Sequence, residues 1–512
     1  MFNLSTFFWL VFLALMYVLY QRQRIRYPPG PKGLPFLGIA KDHPKTEYWR
    51  TYADWGRKYG NIGLISFHLL GRRIVVLNST SVAEALLVRR STIYSDRPFP
   101  PMGGQLMRRE KNVFHISYNE RFKIYRKLMH QGFNPIASQD YWGVAEREAR
   151  VMVANIYKKP DKMVEYLRQN ASAVTMKIAY GYTVTGEKDH FVEMAEETMR
   201  VGSFASAPGR WLVDSIPALL YLPEWFPGAG FKRKAKVWSQ QMELQVREPF
   251  DYVKSQIAAG VAEGSFSSHL LQSSGEGLSE EEYEDHVQWS AGAIYAAGAD
   301  TTVASVKAFY FAMMIFPEIQ KRAQAEIDTL MERLGRLPTI QDRPSLPYLD
   351  AIMKEVLRWA PAVPISLFHC TAADDEYEGY FIPAKTTIIP NIWAMMHDPE
   401  QYPNPFEFNP NRFIKIKDTD TVQRDPRQIV FGFGRRVCAG QHVAEASMFI
   451  QMATTLATLN ISKALDENSR VVEPDISFTT AIVSHIKPFQ YAITPRPTNT
   501  ISLVLQDIAA EA

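Results

Sequence analysis

The sequence predicts a mainly α fold with a minor β part, one large domain standing behind an N-terminal transmembrane helix. Three observations carry this expectation. Apolar residues form 46% of the 512 and aromatics 12%, enough for a large core. The middle of the chain, roughly 119 to 330, reads as long helices broken at turns such as Pro208-Gly209 and Pro227-Gly228. Runs of β type are short and fall near 62–77 and beyond 365. The formal charge of +3 gives no nucleic-acid footprint, and two cysteines, Cys370 and Cys438, give no disulfide framework and fit a reducing compartment.

Taken in order, the chain opens on an apolar stretch from Phe2 to Tyr20, which as a helix would span ~28 Å, close to the hydrocarbon thickness of a bilayer. Arg22, Arg24 and Arg26 follow it and no basic residue precedes it, which places the remainder on the cytosolic side. A cleaved signal peptide is the competing reading, but the basic residues lie on the wrong side for one and no small-x-small cleavage site follows. The expectation is a single-pass anchor over 1–21 with the main domain cytosolic. Pro28-Pro29-Gly30-Pro31-Lys32-Gly33-Leu34-Pro35 cannot be helical, so 22–36 reads as a basic, proline-rich, extended hinge.

The domain is expected over 37–500. It begins with a helical stretch after Trp49, strand-like runs at Ile62–Phe67 and Arg73–Leu77, and an N-cap signal in Asn78-Ser79-Thr80-Ser81. The longest helix is readable from its capping box, Ser279-Glu280-Glu281-Glu282, to a stop at Pro317. Turn and strand pieces follow 365, including Glu378-Gly379-Tyr380-Phe381-Ile382-Pro383. The last segment, 501–512, is set apart as a tail with no assigned role. Asn78-Ser79-Thr80 and Asn170-Ala171-Ser172 match glycosylation sequons that a cytosolic domain leaves unmodified.

Chemistry concentrates in Phe431-Gly432-Phe433-Gly434-Arg435-Arg436-Val437-Cys438-Ala439-Gly440. Glycines at 432 and 434 allow positive φ and close approach to a flat ligand. Backbone N–H groups at the start of the following helix can point at the sulfur and favour its thiolate, a fit axial ligand for haem iron. A lone cysteine is more often a small buried hydrophobe. Inside the longest helix, Ala297-Gly298-Ala299-Asp300-Thr301-Thr302 offers a carboxylate and a hydroxyl for moving protons, and a glycine there costs ~1 kcal/mol, pointing to close approach or local widening. Glu355 and Arg358 lie three apart on one helix face, as many surface pairs do.

Phe431, Gly434, Arg436, Cys438 and Gly440 resemble, position for position, the cysteine signature F-x-x-G-x-R-x-C-x-G of the cytochrome P450 family. The Gly298–Thr302 run resembles that family's oxygen-activation motif, and Glu355/Arg358 with Arg412 resemble its E-x-x-R ion cluster, a structural clamp. The resemblance implies the cytochrome P450 fold, haem b held by Cys438, and proton handling by Asp300 and Thr301. It also implies propionate contacts from Arg436 and Arg126. Arg126 sits in a stretch similar to the family's W-x-x-x-R pattern, with Phe122 where Trp is usual. His369 stands where relatives carry a propionate-binding basic residue, although a satisfied core histidine is nearly as good a reading.

The expected activity is insertion of one oxygen atom from dioxygen into a lipophilic or aromatic small molecule, by hydroxylation or epoxidation. Much of the chain is similar to fungal microsomal members of natural-product pathways, which act on unrelated substrates. No flavin or nicotinamide fingerprint occurs, so the resemblance points to NADPH–cytochrome P450 reductase as electron donor, with cytochrome b5 as a second donor, on the endoplasmic reticulum membrane. Arg121, Lys123, Lys127 and Arg435 are the candidate basic face for it. The resemblance implies a pocket drawn from about 99–118, 199–230, 294–302, 363–368 and 479–485, which offer Phe99, Met102, Val113, Phe114, Phe204, Ile294, Ile365, Leu367, Phe368 and Val483. The alternatives are a haem-thiolate isomerase or dehydratase needing no reductase, which Asp300-Thr301 speaks against, and a membrane haem sensor or carrier without turnover.

Overall fold

The computed structural model describes residues 26–511, apart from Asn61, Glu187, 207–208, Ser274, Glu276, 416–420 and Asn499. The anchor expected over 1–21 lies outside the described residues. Among those described, no single helix is long and apolar enough to cross a membrane.

The hinge is pinned to the domain along its described part. Ser66 donates to Pro28 O through its hydroxyl (2.6 Å) and to Pro29 O through its N–H (2.8 Å). Phe381 N–H donates to Arg26 O, and the Arg73 guanidinium stacks 3.6 Å from the Tyr27 ring. Proline supplies carbonyls but no donor, so it suits an edge that only accepts.

Helix α1 (Tyr48–Tyr59) packs on a four-stranded sheet. That sheet contains β1 (Leu64–Leu69), β2 (Arg72–Leu77), β3 (His369–Cys370) and, after the short hairpin β4 (Asp375–Tyr377) and β5 (Tyr380–Ile382), β6 (Thr387–Pro390). Its order is β1-β2-β6-β3, with β2 and β6 parallel and the other pairs antiparallel. Between β2 and β3 run the long helices: α2 (Glu120–Phe133), α3 (Trp142–Lys158), α4 (Met163–Tyr180), α5 (His190–Ala205), α6 (Gly230–Ala258), α7 (Glu280–Ile315), α8 (Pro317–Leu334) and α9 (Pro347–Trp359). After the sheet come α10 (Gln441–Thr458), a second hairpin of β7 (Leu459–Lys463) and β8 (Tyr491–Pro495), and α11 (Ile501–Glu511). The mainly α, minor β architecture is as the sequence predicts.

Helix α7 is the axis of the molecule. Its capping box forms as expected, with Ser279 Oγ accepting from Glu282 N and Glu282 Oε2 accepting from Ser279 N. Pro317 stops it, and α8 departs at 107°. Val303 to Met314 are buried without a break, because α7 packs against α4, α9 and α10 within the largest apolar cluster. Gly298 marks a close approach, not a widening: a Cβ there would collide with Thr175 Cγ2 on α4.

The segment set apart as a tail is α11. Ile501 and Val504 are buried in the main cluster against α3, and Arg150 reaches Asp507. Neither sequon presents a free side chain. Asn170 is buried on α4, and Asn78 Nδ2 donates to Tyr52 O.

Candidate active site

The cysteine loop has the predicted backbone. Gly432 and Gly434 adopt φ of 85° and 54°, which a side chain would strain. Cys438 N–H donates to Phe431 O at 2.8 Å and closes the loop ahead of α10. The Gly440 N–H bonds the sulfur, and the Arg126 guanidinium lies near it. These two favour the thiolate, but burial outweighs them and pushes the Cys438 thiol up. The expected N–H group at the sulfur is therefore present, and the nearby Arg126 charge acts in the same direction.

Cys438 lies deep in the molecule yet is solvent-accessible, so it faces an internal hollow. The opposite wall is α7. Ala297 is exposed and Ile294, Gly298 and Thr301 are partly so, on a helix whose other faces are buried. Ile294 packs in one cluster with Val113, Phe114, Ala439 and Val443, which joins the two walls.

Asp300 and Thr301 are brought to this wall. Thr301 donates its hydroxyl proton to Ala297 O (2.9 Å), so its oxygen remains as acceptor toward the hollow. Asp300 Oδ1 meets His485 Nε2 at 3.0 Å, a partner that sequence reading did not single out. The His485 backbone is held by Thr479, whose Oγ1 accepts its N–H and whose N–H donates to its carbonyl.

Arg436 and His369 meet, with Arg97, at the rim. Arg436 donates to Ser95 O (2.8 Å) and Ile116 O (2.6 Å) and stacks 3.7 Å from the Phe122 ring, so phenylalanine serves here as a platform. Arg97, another residue the sequence reading missed, donates to Leu367 O and Phe368 O at 2.7 Å. Arg126 donates to Val437 O (2.8 Å). None of these three arginines pairs with a carboxylate among the described residues, and Arg97 Nε and Arg436 Nη1 are buried without any partner. Burial, then repulsion from Arg97, pushes Arg436 down to about 8; burial pushes Arg97 down to about 10. His369 Nδ1 sits 2.8 Å from Tyr94 O, and burial followed by Arg97 holds the ring well below its usual range. With Nδ1–H engaged, His369 bonds a carboxylate only once Nε2 is protonated as well.

Cations buried together with unused donors fit a dianion, and a deep, accessible cysteine fits a metal. Haem b, with two propionates and an iron, satisfies both.

Behind the loop, the predicted clamp forms fully buried. Arg358 grips Glu355 with two bonds (2.7 and 2.8 Å), and Arg412 Nε reaches Glu355 Oε1 at 3.3 Å. Further donors go to carbonyls: Arg358 to Met396, Pro405 and Glu407, and Arg412 to Pro403, Asn404 and Glu407.

Part of the expected pocket is ordinary core. Met102 and Ile365 are fully buried in separate apolar clusters. Phe204 packs against Trp211 and Trp238 with Arg210 above its ring. The expected basic face is partly neutralised: Arg121 pairs with Asp285 and Lys123 with Glu120, while Arg435 lies 4.5 Å over Tyr118.

The comparisons with known proteins give the family. A sequence profile described as Cytochrome P450 matches residues 28–493. The chain is similar to Cytochrome P450 monooxygenase 208 of Postia placenta, 40% identical over 96% of this chain and 95% of that protein. It is 39% identical to Cytochrome P450 monooxygenase claR of Ampulloclitocybe clavipes, over 94% and 89% of the two chains. Tryptamine 4-monooxygenase of Psilocybe cyanescens is 36% identical, over 93% of this chain and 94% of its own.

Proposed function

The chain belongs to the cytochrome P450 family, and from that premise we propose a membrane-tethered haem-thiolate monooxygenase of natural-product biosynthesis acting on a lipophilic or aromatic small molecule. The observation that carries the reading is Cys438, deep and accessible, opposite Asp300 and Thr301 and beside buried arginines without counter-ions. Cys438 would ligate the iron, and Arg97, Arg126 and Arg436 would hold the propionates, with His369 joining them when protonated. Bound there, haem b supplies reductive activation of dioxygen, with two electrons and two protons sending one oxygen atom to substrate and the other to water.

The chain's own residues supply order and protons. Asp300, fixed by His485, is placed to pass protons along α7, and the back-bonded Thr301 oxygen can accept a hydrogen bond inside the hollow. Val113, Phe114 and Ile294 present apolar surface there, which excludes water and suits a lipophilic substrate.

Membrane attachment is supported by the apolar 2–20 stretch and by an exposed apolar face. Phe36, Leu37, Leu212, Tyr221 and Trp225 are exposed. Their elements adjoin, since Leu70 N–H donates to Leu37 O and Arg72 Nη2 donates to Asp214 O at 2.9 Å. Endoplasmic reticulum residence and electrons from NADPH–cytochrome P450 reductase, with cytochrome b5 as a second donor, complete the proposal. Arg435 is the charge suited to that docking.

The test is product formation by the full chain with the reductase and candidate lipophilic substrates. NADPH-dependent incorporation of one oxygen atom from labelled dioxygen is expected. Turnover of a peroxide substrate without NADPH would favour the isomerase or dehydratase reading instead.

A further inference from the structure

Two of the segments expected to line the pocket meet at Arg109. It lies just after the short helical turn Pro101–Leu106 and packs on the end of α5, where it is 4% exposed. One guanidinium nitrogen, Nη1, is engaged at 3.2 Å with both His115 Nε2 and Ser206 Oγ. The other edge is free. Nε is buried without a partner, and Nη2 has no hydrogen bond among the described residues.

The guanidinium itself is seated against a glycine. A Cβ on Gly202 of α5 would stand 2.8 Å from Nη2. His115 is fixed by Asn112, whose Oδ1 faces His115 Nδ1 at 3.1 Å. Burial first, then Arg109 and Arg97, holds the His115 ring well below its usual range, so it offers Nε2 as an acceptor and adds no charge. Arg109 therefore keeps an uncompensated positive charge, with burial pushing it down to about 10. Asp214, which meets the same turn, is directed to Met102 N (2.8 Å) and lies near Arg72, so it does not neutralise Arg109. Met107, Val201 and Ala205, from the same two elements, are buried apolar neighbours in sequence and cluster together.

A buried guanidinium edge with no carboxylate, set among apolar residues, is built for an anion brought from outside. The Nε/Nη2 edge is the side-on fork that receives a carboxylate through two parallel bonds. We propose that Arg109 is a substrate-recognition residue and that the substrate class is amphipathic carboxylic acids, whose carboxylate docks on Arg109 while the apolar body reaches toward the hollow. This rests on the monooxygenase reading and narrows its substrate.

The test uses the full-length, haem-loaded protein and paired probes: dodecanoate and naphthylacetate, each with its methyl ester and primary amide. Affinity is read from ligand-induced changes in the ferric spectrum and from equilibrium dialysis. The acids are expected to bind roughly tenfold tighter than their esters or more. Arg109→Gln should bring acid and ester together, Arg109→Lys should keep part of the preference, and Ser206→Asp should abolish it by supplying an internal carboxylate. If Arg109→Gln does not fold, Ser206→Asp carries the test.

Equal affinity for acid and ester in the unaltered protein, or a preference that survives both Arg109→Gln and Ser206→Asp, overturns the proposal. Loss of haem from Arg109→Gln would instead assign the residue to the propionates and also overturn it. Failure of the monooxygenase reading shows separately, as absence of the thiolate-type reduced carbon monoxide spectrum before any ligand is added.

Discussion

At the scale of single residues, each functional group is defined by one neighbour. Cys438→Ala should abolish the thiolate-type spectrum of the reduced carbon monoxide complex, and an unchanged spectrum would remove the sulfur from the assignment. Asp300→Asn should slow product formation by roughly 10²-fold or more and divert electrons to peroxide. Because His485 holds Asp300 at 3.0 Å, His485→Phe should raise the peroxide fraction and alter the pH profile of coupling, whereas a profile identical to that of the unaltered enzyme would leave His485 as packing. Glu355→Gln leaves two buried arginines short of a counter-charge and should cost about 3–5 kcal/mol, read from denaturant unfolding. The sequence made Cys438, Gly434 and Arg436 legible because they are contiguous and their loop needs fixed residue types. It could not expose Arg97 or His485. Their partners lie 270 and 185 positions away, Leu367 for one and Asp300 for the other, and nothing local in either residue encodes the meeting.

At the scale of elements, α7 was readable from end to end, since the capping box and Pro317 are local signals. Which face of it would be open was not readable, because α7 is apolar nearly all round and periodicity then carries no direction. Gly298 narrows this: the α4 side is filled and tight. Gly298→Ala should therefore cost about 1–3 kcal/mol by overpacking, measured as a lower unfolding midpoint. Thr175→Ser removes the colliding methyl group, so it should recover much of the loss in the double variant, and strict additivity of the two changes would disprove the contact. Helix α11 escaped sequence reading for a related reason. It is short and apolar, and only its burial against α3 distinguishes it from a tail.

At the scale of the whole molecule, the balance of buried charge decides stability. Arg97, Arg126 and Arg436 are desolvated without carboxylate partners, so haem removal should lower the melting temperature and loosen β3 and the cysteine loop, as hydrogen exchange would register. Acid should act through buried histidines. Burial, with Arg358 adding to it, pushes His397 down to about 3, while an unfolded chain protonates its histidines near 6.5. Between those values the unfolded state binds the extra proton, so stability falls as pH drops below 6.5, by about 1.4 kcal/mol per unit for this group. Above 6.5 both states are neutral there and the contribution is flat. A His397→Gln variant should show a shallower loss of unfolding free energy between pH 6.5 and 5 than the parent protein.

The pinned proline segment limits the freedom of a protein on the proposed anchor. Its carbonyls are fastened to Ser66 and Phe381 from Arg26 onward, so no loose cable remains beyond that point. From Gln21, the end of the proposed anchor, to Arg26 are five Cα steps, which reach at most roughly 18 Å. On the proposed anchor, a globule held on so short a leash would not tumble freely above the bilayer. In that proposed arrangement the exposed Phe36, Leu37 and Trp225 would face the bilayer, and an apolar substrate dissolved in the lipid would approach by lateral diffusion in two dimensions.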